Sequence, residues 1–270
     1  MKPLDDFRVK PDKKLKLANF DPSAKPRSCG DKPQDLARIE ELAERIDTLQ
    51  ELLYANRKQR LLVVLQGMDT SGKDGTVRGV FSRTDPLGVR AVGFKAPTPA
   101  EAEHDFLWRI HQQTPGAGEI VIFNRSHYED VLITRVNGWI DDKEAVRRFA
   151  YIRQFEQLLI DASTNILKCY LHISKDEQKN RLQARLADPS KHWKFDPNDL
   201  IARKSWDAYQ SAYEAALPDT STVNAPWYVI PANSKTHRNL MIAELVIQTL
   251  EGMKLKKPGA NPAFANIKIK

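Results

Sequence analysis

The sequence predicts an α/β fold in which helices cover both faces of a five-stranded parallel sheet, and two observations support this prediction. Residues 61–65 are apolar throughout, as in a strand that is buried on both faces, and such strands are typical of parallel sheets. Further along the chain, short apolar segments alternate with segments of helical periodicity, which indicates repeated strand–helix units. The length of 270 residues suits one domain with a sizeable core.

The predicted elements follow in chain order. Apolar residues recur at steps of three and four from Leu36 to Leu53, which predicts a helix that precedes the first strand. The other strands are predicted at residues 89–94, 119–124, 165–174 and 227–231, and the other helices at 77–82, 99–113, 143–162, 175–186, 200–216 and 235–253. We expect the domain to span residues 35–255, with an extended arm at 1–34 and an irregular tail at 256–270.

Composition and charge limit the classes of partner. The formal net charge of +7 favours a polyanionic partner, although charge alone does not separate nucleic acid from polyphosphate or nucleotides. No apolar run approaches the roughly 20 residues that a membrane span needs, and the first residues lack the apolar core of a signal peptide. Two cysteines far apart in sequence imply no disulfide framework. We therefore expect a cytoplasmic protein without a membrane partner.

A phosphate-binding loop is predicted directly after the first strand. Gly67, Gly72 and Lys73 match G-x-x-x-x-G-K, and a helical pattern follows. Backbone N–H groups and the positive end of the helix would face an anion, and Lys73 would add a point charge. The Ser or Thr that usually follows the lysine is replaced by Asp74. The predicted phosphate contacts are Gly67, Thr70, Ser71, Gly72, Lys73, Asp74, Gly75, Thr76 and Arg78. The alternative is a glycine-rich turn with a solvated lysine.

A polar cluster follows the third predicted strand, from Asn124 to Asp130. Ligands of open α/β sheets bind at the carboxyl ends of the strands, so we expect this cluster to face the phosphate loop. Arg125 can clamp a phosphate with two N–H groups, and acids at such strand ends hold magnesium. Lys95, at the end of the second strand, could also reach the phosphates. The alternative is a helix N-terminus in which Ser126 and Glu129 form a capping box.

A basic lid is predicted at about residues 178–204. Arg181 and Arg185 are four residues apart and therefore share one face of a helix. Further basic residues follow at Lys191, Lys194, Arg203 and Lys204. Such a segment can close over phosphates and exclude water. The alternative is a solvated charged helix.

Four stretches of the sequence resemble the polyphosphate kinase 2 family: "GMDTSGKDGT", "NRSHYEDV", "KNRLQARLADPSKHWKF" and "WYVIPANSK". The resemblance covers about residues 35–253. It implies a P-loop kinase fold of the thymidylate-kinase-like type with a helical basic lid, assembled as a homodimer or homotetramer. It also implies transfer of a terminal phosphoryl group between inorganic polyphosphate and nucleotides, with Mg²⁺ as cofactor.

The resemblance also implies roles for single residues. Asp69 and Asp130 would hold magnesium, and Lys73 and Arg125 would join them as catalytic residues. Polyphosphate would follow Arg125, Arg181, Arg185 and Lys194, and the nucleotide would contact Asn124, His127, Tyr128 and Glu129. Many members have Asp where this chain has Asn124, and the Asn form resembles the subgroup that accepts nucleoside mono- and diphosphates. Asp74 is interpreted as an acid that the helix dipole favours.

Two other functions stay open at this point. One is an ATP-dependent nucleoside or nucleotide kinase of the same fold. The other is a basic nucleic-acid-binding module, for which the sequence contains no RNA-binding signature. For the leading function we expect direct in-line transfer without a phosphoenzyme, because phosphoryl transfer needs alignment and charge neutralisation more than a covalent nucleophile.

Overall fold

The computed structural model describes residues 4–11, 13–259 and 262–264. Its sheet contains the strands β1 Arg60–Gln66, β2 Val89–Gly93, β3 Ile120–Asn124, β4 Thr164–His172 and β5 Trp227–Pro231. The strand order is β2-β3-β1-β4-β5, and every neighbouring pair is parallel. The prediction of a five-stranded parallel sheet is therefore confirmed. After β3 the chain crosses from one side of β1 to the other, and such a reversal leaves a crevice at the carboxyl ends of the central strands.

The central strand β1 is buried because both of its sides are paired and both of its faces are covered. Residues 61–66 are all buried, which explains the uninterrupted apolar run in the sequence. The edge strand β2 is only five residues long and carries partly or fully exposed residues along its length. Short edge strands limit pairing with other chains.

Ten α-helices flank the sheet among the described residues: α1 Lys32–Asn56, α2 Lys73–Val80, α3 Pro99–Ala102, α4 Trp108–His111, α5 Glu129–Val136, α6 Asp142–Asp161, α7 Lys175–Ala187, α8 Asn198–Lys204, α9 Trp206–Thr220 and α10 Lys235–Gly252. Helices α1, α2 and α10 pack against one another, and α5, α6 and α9 form a second group. No helix in the described ranges is long and apolar enough to cross a membrane.

The helix prediction was wrong in two places, and one predicted helix cap does not form. The continuous helix predicted at 99–113 is split into α3 and α4, because Asp105 accepts a hydrogen bond from the backbone N–H of Leu107 at 2.9 Å. The helix predicted at 200–216 is interrupted at Ser205. The capping box of Ser126 and Glu129 does not form, since Glu129 is the first residue of α5 and the Ser126 hydroxyl accepts from the Tyr128 N–H instead.

The N-terminal segment, residues 4–11 and 13–31, lies against the domain. Leu4, Val9 and Leu17 are buried in the core. Val9 donates its N–H to the Trp227 carbonyl at 2.8 Å, and Arg8 forms an antiparallel bridge with Tyr228, so the segment covers the outer edge of β5. The parts of the predicted arm and tail at residues 1–3, 12, 260–261 and 265–270 lie outside the described residues.

Candidate active site

The phosphate loop connects β1 to α2 and depends on two glycines. Gly67 has φ of 151° and Gly72 has φ of 102°, and residues with a side chain rarely adopt such positive φ angles. A Cβ atom on Gly67 would lie 2.7 Å from the Leu171 carbonyl oxygen, and one on Gly72 would lie 1.9 Å from Arg238 Nη1. Helix α2 begins at Lys73, four residues before its predicted start. Its positive end therefore lies at the loop, as anion binding requires.

The Lys73 side chain is folded back on this loop. Its Nζ donates to the carbonyls of Gly67 at 2.7 Å and Met68 at 3.3 Å. Burial, and next the charge of Arg125, lower the pKa of Lys73 from 10.5 to about 8. The carboxylates of Asp69, Glu129 and Asp74 act in the opposite direction. Lys73 thus lies among three acids and an arginine, and its contacts to the loop carbonyls are ones that phosphate oxygens can replace.

The end of β3 meets the phosphate loop through two side-chain pairs. Leu65 of β1 pairs with Asn124 of β3 in the sheet, which brings the two strand ends together. Arg125 Nη2 donates to Asp69 Oδ1 at 2.6 Å, and Asn124 Nδ2 donates to Asp74 Oδ1 at 2.6 Å. The structure therefore brings the predicted strand-end groups into contact with the two loop acids.

Asp130 lies in different surroundings. Its Oδ2 is 3.5 Å from Arg109 Nη2, and the charges that act on it are those of Arg109, Arg148 and His127. Burial raises the pKa of this carboxyl group. Asp69 acts on Lys73 and Arg125 instead. The geometry does not support the predicted metal site shared by Asp69 and Asp130.

His127 and Tyr128, predicted to contact the nucleotide, are buried in the core. Tyr128 Oη donates to Glu156 Oε1 at 2.7 Å, and His127 Nε2 lies 3.3 Å from the same oxygen. Lys168 Nζ lies 2.6 Å from Glu156 Oε2 and completes this network. The two side chains point inward because Glu156 and Lys168 need buried partners. Both side chains are buried in this structure, so it shows no nucleotide contact for them, and their predicted role stays a prediction.

Arg181 is hydrogen-bonded to the backbone of the phosphate loop. It is 8% exposed, and it donates to the carbonyls of Thr70 and Ser71 at 2.9 and 3.1 Å and to those of Ala232 and Asn233 at 2.7 and 2.8 Å. These contacts hold its guanidinium on the backbone, so it does not line an open polyphosphate path as predicted.

Arg238 also contacts the phosphate loop, and the sequence did not predict this contact. It is 1% exposed, donates to the Ser71 carbonyl at 3.2 Å, and has its pKa lowered to about 9 by burial. Nothing in the local sequence marks an arginine in the second turn of α10 as part of a loop more than 160 residues away.

The remaining lid residues contact one another. Arg185 Nη1 donates to the Lys194 carbonyl at 3.1 Å and lies 3.3 Å from Asp199 Oδ2. Lys194 Nζ lies 4.8 Å from the ring centre of Trp193, which is 78% exposed. Burial, and next the charge of Asp69, raise the pKa of Asp199 to about 6. The influence of Asp69 indicates that α8 approaches the phosphate loop.

The other predicted phosphate contacts differ in accessibility. Ser71 and Thr76 are fully buried, and Thr76 Oγ1 donates to the Gly72 carbonyl at 3.2 Å. Thr70 is nearly buried, with φ of 63°. Arg78 and Lys95 are exposed, and the Lys95 carbonyl accepts a hydrogen bond from Arg109 at 2.7 Å. A Cβ atom on Gly75 would approach Arg238 Nη2 at 3.2 Å.

Residues 30–258 match the family model described as Polyphosphate kinase 2 (PPK2). The chain belongs to the polyphosphate kinase 2 family. It is 49% identical over 263 residues to the AMP/ADP-polyphosphate phosphotransferase of Meiothermus ruber, which covers 97% of this chain and 98% of that protein. It is 42% identical to the ADP-polyphosphate phosphotransferase of Rhodopseudomonas palustris, over 82% of this chain and 80% of that protein.

A solved polyphosphate kinase 2 structure agrees with the fold. The crystal structure of polyphosphate kinase 2 from Arthrobacter aurescens TC1 superposes with a TM-score of 0.93 at 45% identity, and the match covers 100% of this chain and 94% of that chain. The predicted P-loop kinase fold is thereby confirmed.

Magnesium, which the polyphosphate kinase 2 resemblance implies, can be tested against the donor atoms of this site. Across the described part of the chain, no three His, Cys, Asp or Glu residues are arranged to hold a metal ion. Mg²⁺, however, usually binds one or two carboxylates together with substrate phosphates. Asp69, Asp74 and Asn124 offer carboxylate and amide oxygens next to Lys73. The residues therefore fit a magnesium ion that binds with the phosphates.

Proposed function

We propose that this enzyme transfers the terminal phosphoryl group between inorganic polyphosphate and nucleoside mono- and diphosphates such as AMP, ADP and GDP, so that ADP and ATP are formed. One observation carries the proposal: Lys73 of the phosphate loop lies among Arg125, Asp69 and Asp74 at the carboxyl edge of the sheet. The similarity to the Meiothermus ruber AMP/ADP-polyphosphate phosphotransferase, along nearly the whole chain, supports it.

The chain's own groups supply alignment and charge neutralisation. Lys73 Nζ would exchange its contacts with the Gly67 and Met68 carbonyls for phosphate oxygens. Arg125 would exchange Asp69 for a phosphate, since its planar guanidinium binds both groups in the same way. An acceptor phosphate is already ionised, so no general base and no covalent nucleophile are needed. We propose direct in-line transfer.

We propose Mg²⁺ as the cofactor, held by Asp69 and Asp74. Asp74 replaces Asp130 in this role, because Asp130 lies against Arg109. Mg²⁺ would neutralise the charge of the phosphates. Asp69→Asn and Asp74→Asn should each raise the Mg²⁺ concentration that half-maximal activity requires. If Asp130→Asn raises this concentration and Asp74→Asn does not, the metal ligands are Asp69 and Asp130, as the resemblance implies.

A product assay tests the function directly. The enzyme is incubated with long-chain polyphosphate, Mg²⁺ and either ADP or AMP, without ATP, and the products are separated by ion exchange. We expect ATP from ADP, and ADP followed by ATP from AMP. Product that forms only when ATP is supplied as the donor would instead identify an ATP-dependent kinase of the same fold.

We also propose that the enzyme is a cytoplasmic homodimer or homotetramer. Large apolar side chains of α6 and the preceding loop are exposed, including Trp139, Val146 and Leu158, and subunit contact would cover such a surface. Cys29 and Cys169 are unpaired, which suits a reducing compartment. Light scattering at micromolar concentration measures the mass, and a monomer would contradict the proposal.

A further inference from the structure

Two buried arginines from different helices meet on one carbonyl of the phosphate loop. Arg181 of α7 donates to the Ser71 carbonyl at 3.1 Å, and Arg238 of α10 donates to the same oxygen at 3.2 Å. Ser71 directly precedes Gly72 and Lys73, so both contacts bear on the part of the loop that would face a phosphate. Burial, and next the charge of Arg181, lower the pKa of Arg238 to about 9. Because like charges repel, neighbouring contacts have to hold both arginines in place.

Asn233, in the loop between β5 and α10, connects Arg181 to the start of its own helix. The Asn233 carbonyl accepts a hydrogen bond from Arg181 Nη2 at 2.8 Å. Its side-chain Oδ1 accepts from the backbone N–H of Ser174 at 3.0 Å, and Ser174 is the N-cap of α7. The loop after β5 is thereby fixed to both the first turn of α7 and the guanidinium that the helix carries.

The N-terminal segment holds Asn233 from the other side. Asn233 donates its backbone N–H to the Pro22 carbonyl at 3.0 Å and its Nδ2 to Ser23 Oγ at 2.8 Å. Both backbone groups and both polar side-chain atoms of Asn233 are therefore hydrogen-bonded, which gives the residue a single orientation.

A second contact of the same segment leads to Arg238. The backbone N–H of Arg27 donates to His237 Nε2 at 3.0 Å, and Arg27 Nε lies 3.0 Å from Glu244 Oε2. His237 is fully buried and directly precedes Arg238 in α10. Burial lowers the pKa of His237 to about 4, so its ring is neutral at pH 7 and Nε2 can accept this bond. Residues 22–27 therefore contact the immediate neighbours of both arginines.

We infer that residues 22–27 of the N-terminal segment position the phosphate loop, and that Asn233 is the residue that links them to Arg181. Asn233 acts through Arg181 and is a positioning residue. The inference rests on the proposed function, because it assumes that the loop binds the phosphates being transferred. Coupling between two residues is measured by a double-mutant cycle, which is therefore the test.

Three variants and one control enter the cycle. Asn233→Ala removes the side-chain contacts to Ser174 and Ser23, Asn233→Asp keeps the shape, and Ser23→Ala removes only the contact from the N-terminal segment. Leu15→Ala is the control, because Leu15 packs against the core from the same segment but lies outside residues 22–27. The value of kcat and the KM values for ADP and polyphosphate are measured for each variant, alone and combined with Arg181→Gln. All measurements are made at a temperature at which thermal unfolding shows the proteins to be folded.

We expect Asn233→Ala to raise both KM values by about tenfold and Ser23→Ala by about threefold, since the loop that serves both substrates loses part of its support. In combination with Arg181→Gln, neither change should raise them further. Asn233→Asp should stay within about 1.5-fold of the original protein, because the Ser23 hydroxyl can donate to a carboxylate oxygen. Leu15→Ala should lower the Tm and leave both KM values within about 1.5-fold.

Three results would overturn the inference. The first is unchanged KM values in Asn233→Ala and Ser23→Ala, and Ser23→Ala alone decides this point if Asn233→Ala does not fold. The second is strict additivity with Arg181→Gln, which would show that Asn233 acts independently of that arginine. The third is a rise of the KM values in Leu15→Ala as large as in Ser23→Ala, which would assign the effect to lost stability. Failure of the proposed function has a different signature, because the original protein would then form no ATP from ADP and polyphosphate.

Discussion

The ammonium group of Lys73 is buried in the phosphate loop, where burial lowers its pKa from 10.5 to about 8. A shift of this size corresponds to about 3 kcal/mol that the folded protein loses by holding the charge there. The hydrogen bonds to the Gly67 and Met68 carbonyls offset part of this cost. Phosphate binding would remove the rest, since it gives the ammonium group a direct counter-charge.

Lys73→Met should therefore stabilise the protein while it removes activity. We expect the free energy of unfolding at pH 7 to rise by about 1 kcal/mol, after the lost hydrogen bonds are subtracted, and turnover to fall by about 10²-fold or more. Below about pH 8 the lysine is charged in both the folded and the unfolded protein, so its full cost is present. The cost declines as the pH rises from about 8 to 10.5, because the folded protein then holds the lysine neutral.

The measurement is thermal unfolding of both proteins at pH 7 and pH 10. Lys58→Met is the matched control, because Lys58 is exposed in the loop before β1. A lower Tm for Lys73→Met at pH 7, or a difference that is the same at both pH values, would contradict the assigned cost of burial.

Asn124 and Asp74 form a pair in which the amide belongs to the strand end and the carboxylate to the phosphate loop. In many P-loop proteins the strand end carries the acid and the loop carries the neutral Ser or Thr. Asn124→Asp would set two carboxylates at the 2.6 Å contact. We expect a loss of roughly 1–2 kcal/mol of stability in EDTA, the equivalent of about one pKa unit, and a larger recovery with Mg²⁺ than the original protein shows.

The double variant Asn124→Asp with Asp74→Asn is the matched control, since it exchanges the two groups and keeps one carboxylate. Its Tm in EDTA should return to that of the original protein. The same variants test substrate choice, because an amide can donate to a phosphate whereas a carboxylate repels it. If Asn124→Asp leaves both the Tm in EDTA and the AMP-to-ADP ratio of kcat/KM unchanged, Asn124 has neither role.

At the scale of elements, helix α7 carries two arginines whose contacts differ. Arg181 is buried on the carbonyls of the phosphate loop, and Arg185 lies nearer the surface against Asp199. Arg181→Gln should lower the Tm and raise the KM for nucleotide and polyphosphate alike, because the loop that serves both loses its support. Arg185→Gln should keep the Tm and weaken long polyphosphate more than ADP, since a polyanion engages more positive charges.

Each arginine serves as the control for the other, because they lie one turn apart on the same helix. The measurements are Tm and the two KM values at low and high salt. A selective loss of polyphosphate binding in Arg181→Gln, at unchanged Tm, would restore the sequence-based interpretation that this residue lines the polyphosphate path.

The elements that the sequence predicted correctly are those with a local signal. The apolar run of β1 and the glycine spacing of the phosphate loop can both be recognised from residues that are close together in the sequence. The break between α3 and α4 depends on one side-chain hydrogen bond of Asp105, and periodicity does not reveal it. The inward direction of His127 depends on Glu156, which is distant in sequence. Charge alone does not tell whether a guanidinium such as Arg181 faces a substrate or a carbonyl.

At the scale of the whole molecule, the N-terminal segment joins parts of the domain that are far apart in sequence. Leu17 donates its N–H to Glu214 of α9 at 2.9 Å. Val9 contacts the edge of β5, and Arg27 pairs with Glu244 of α10 at 3.0 Å. The sequence predicts an extended arm here because Lys, Asp and Pro dominate the segment, and the few apolar residues that enter the core are spaced without a regular period.

These contacts predict that the segment unfolds together with the domain. Leu17 is fully buried in the core, whereas Leu15, two residues earlier, is only partly buried. Leu17→Ala should lower the free energy of unfolding by roughly 2–5 kcal/mol, because it leaves a cavity, and Leu15→Ala should cost clearly less. Chemical denaturation followed by tryptophan fluorescence and by circular dichroism measures both variants. We expect one transition with coincident midpoints for both probes, since Leu17 belongs to the same core as β1 and α10. Equal stability of the two variants, or a separate early transition in Leu17→Ala, would show instead that the segment is an arm that folds independently of the domain.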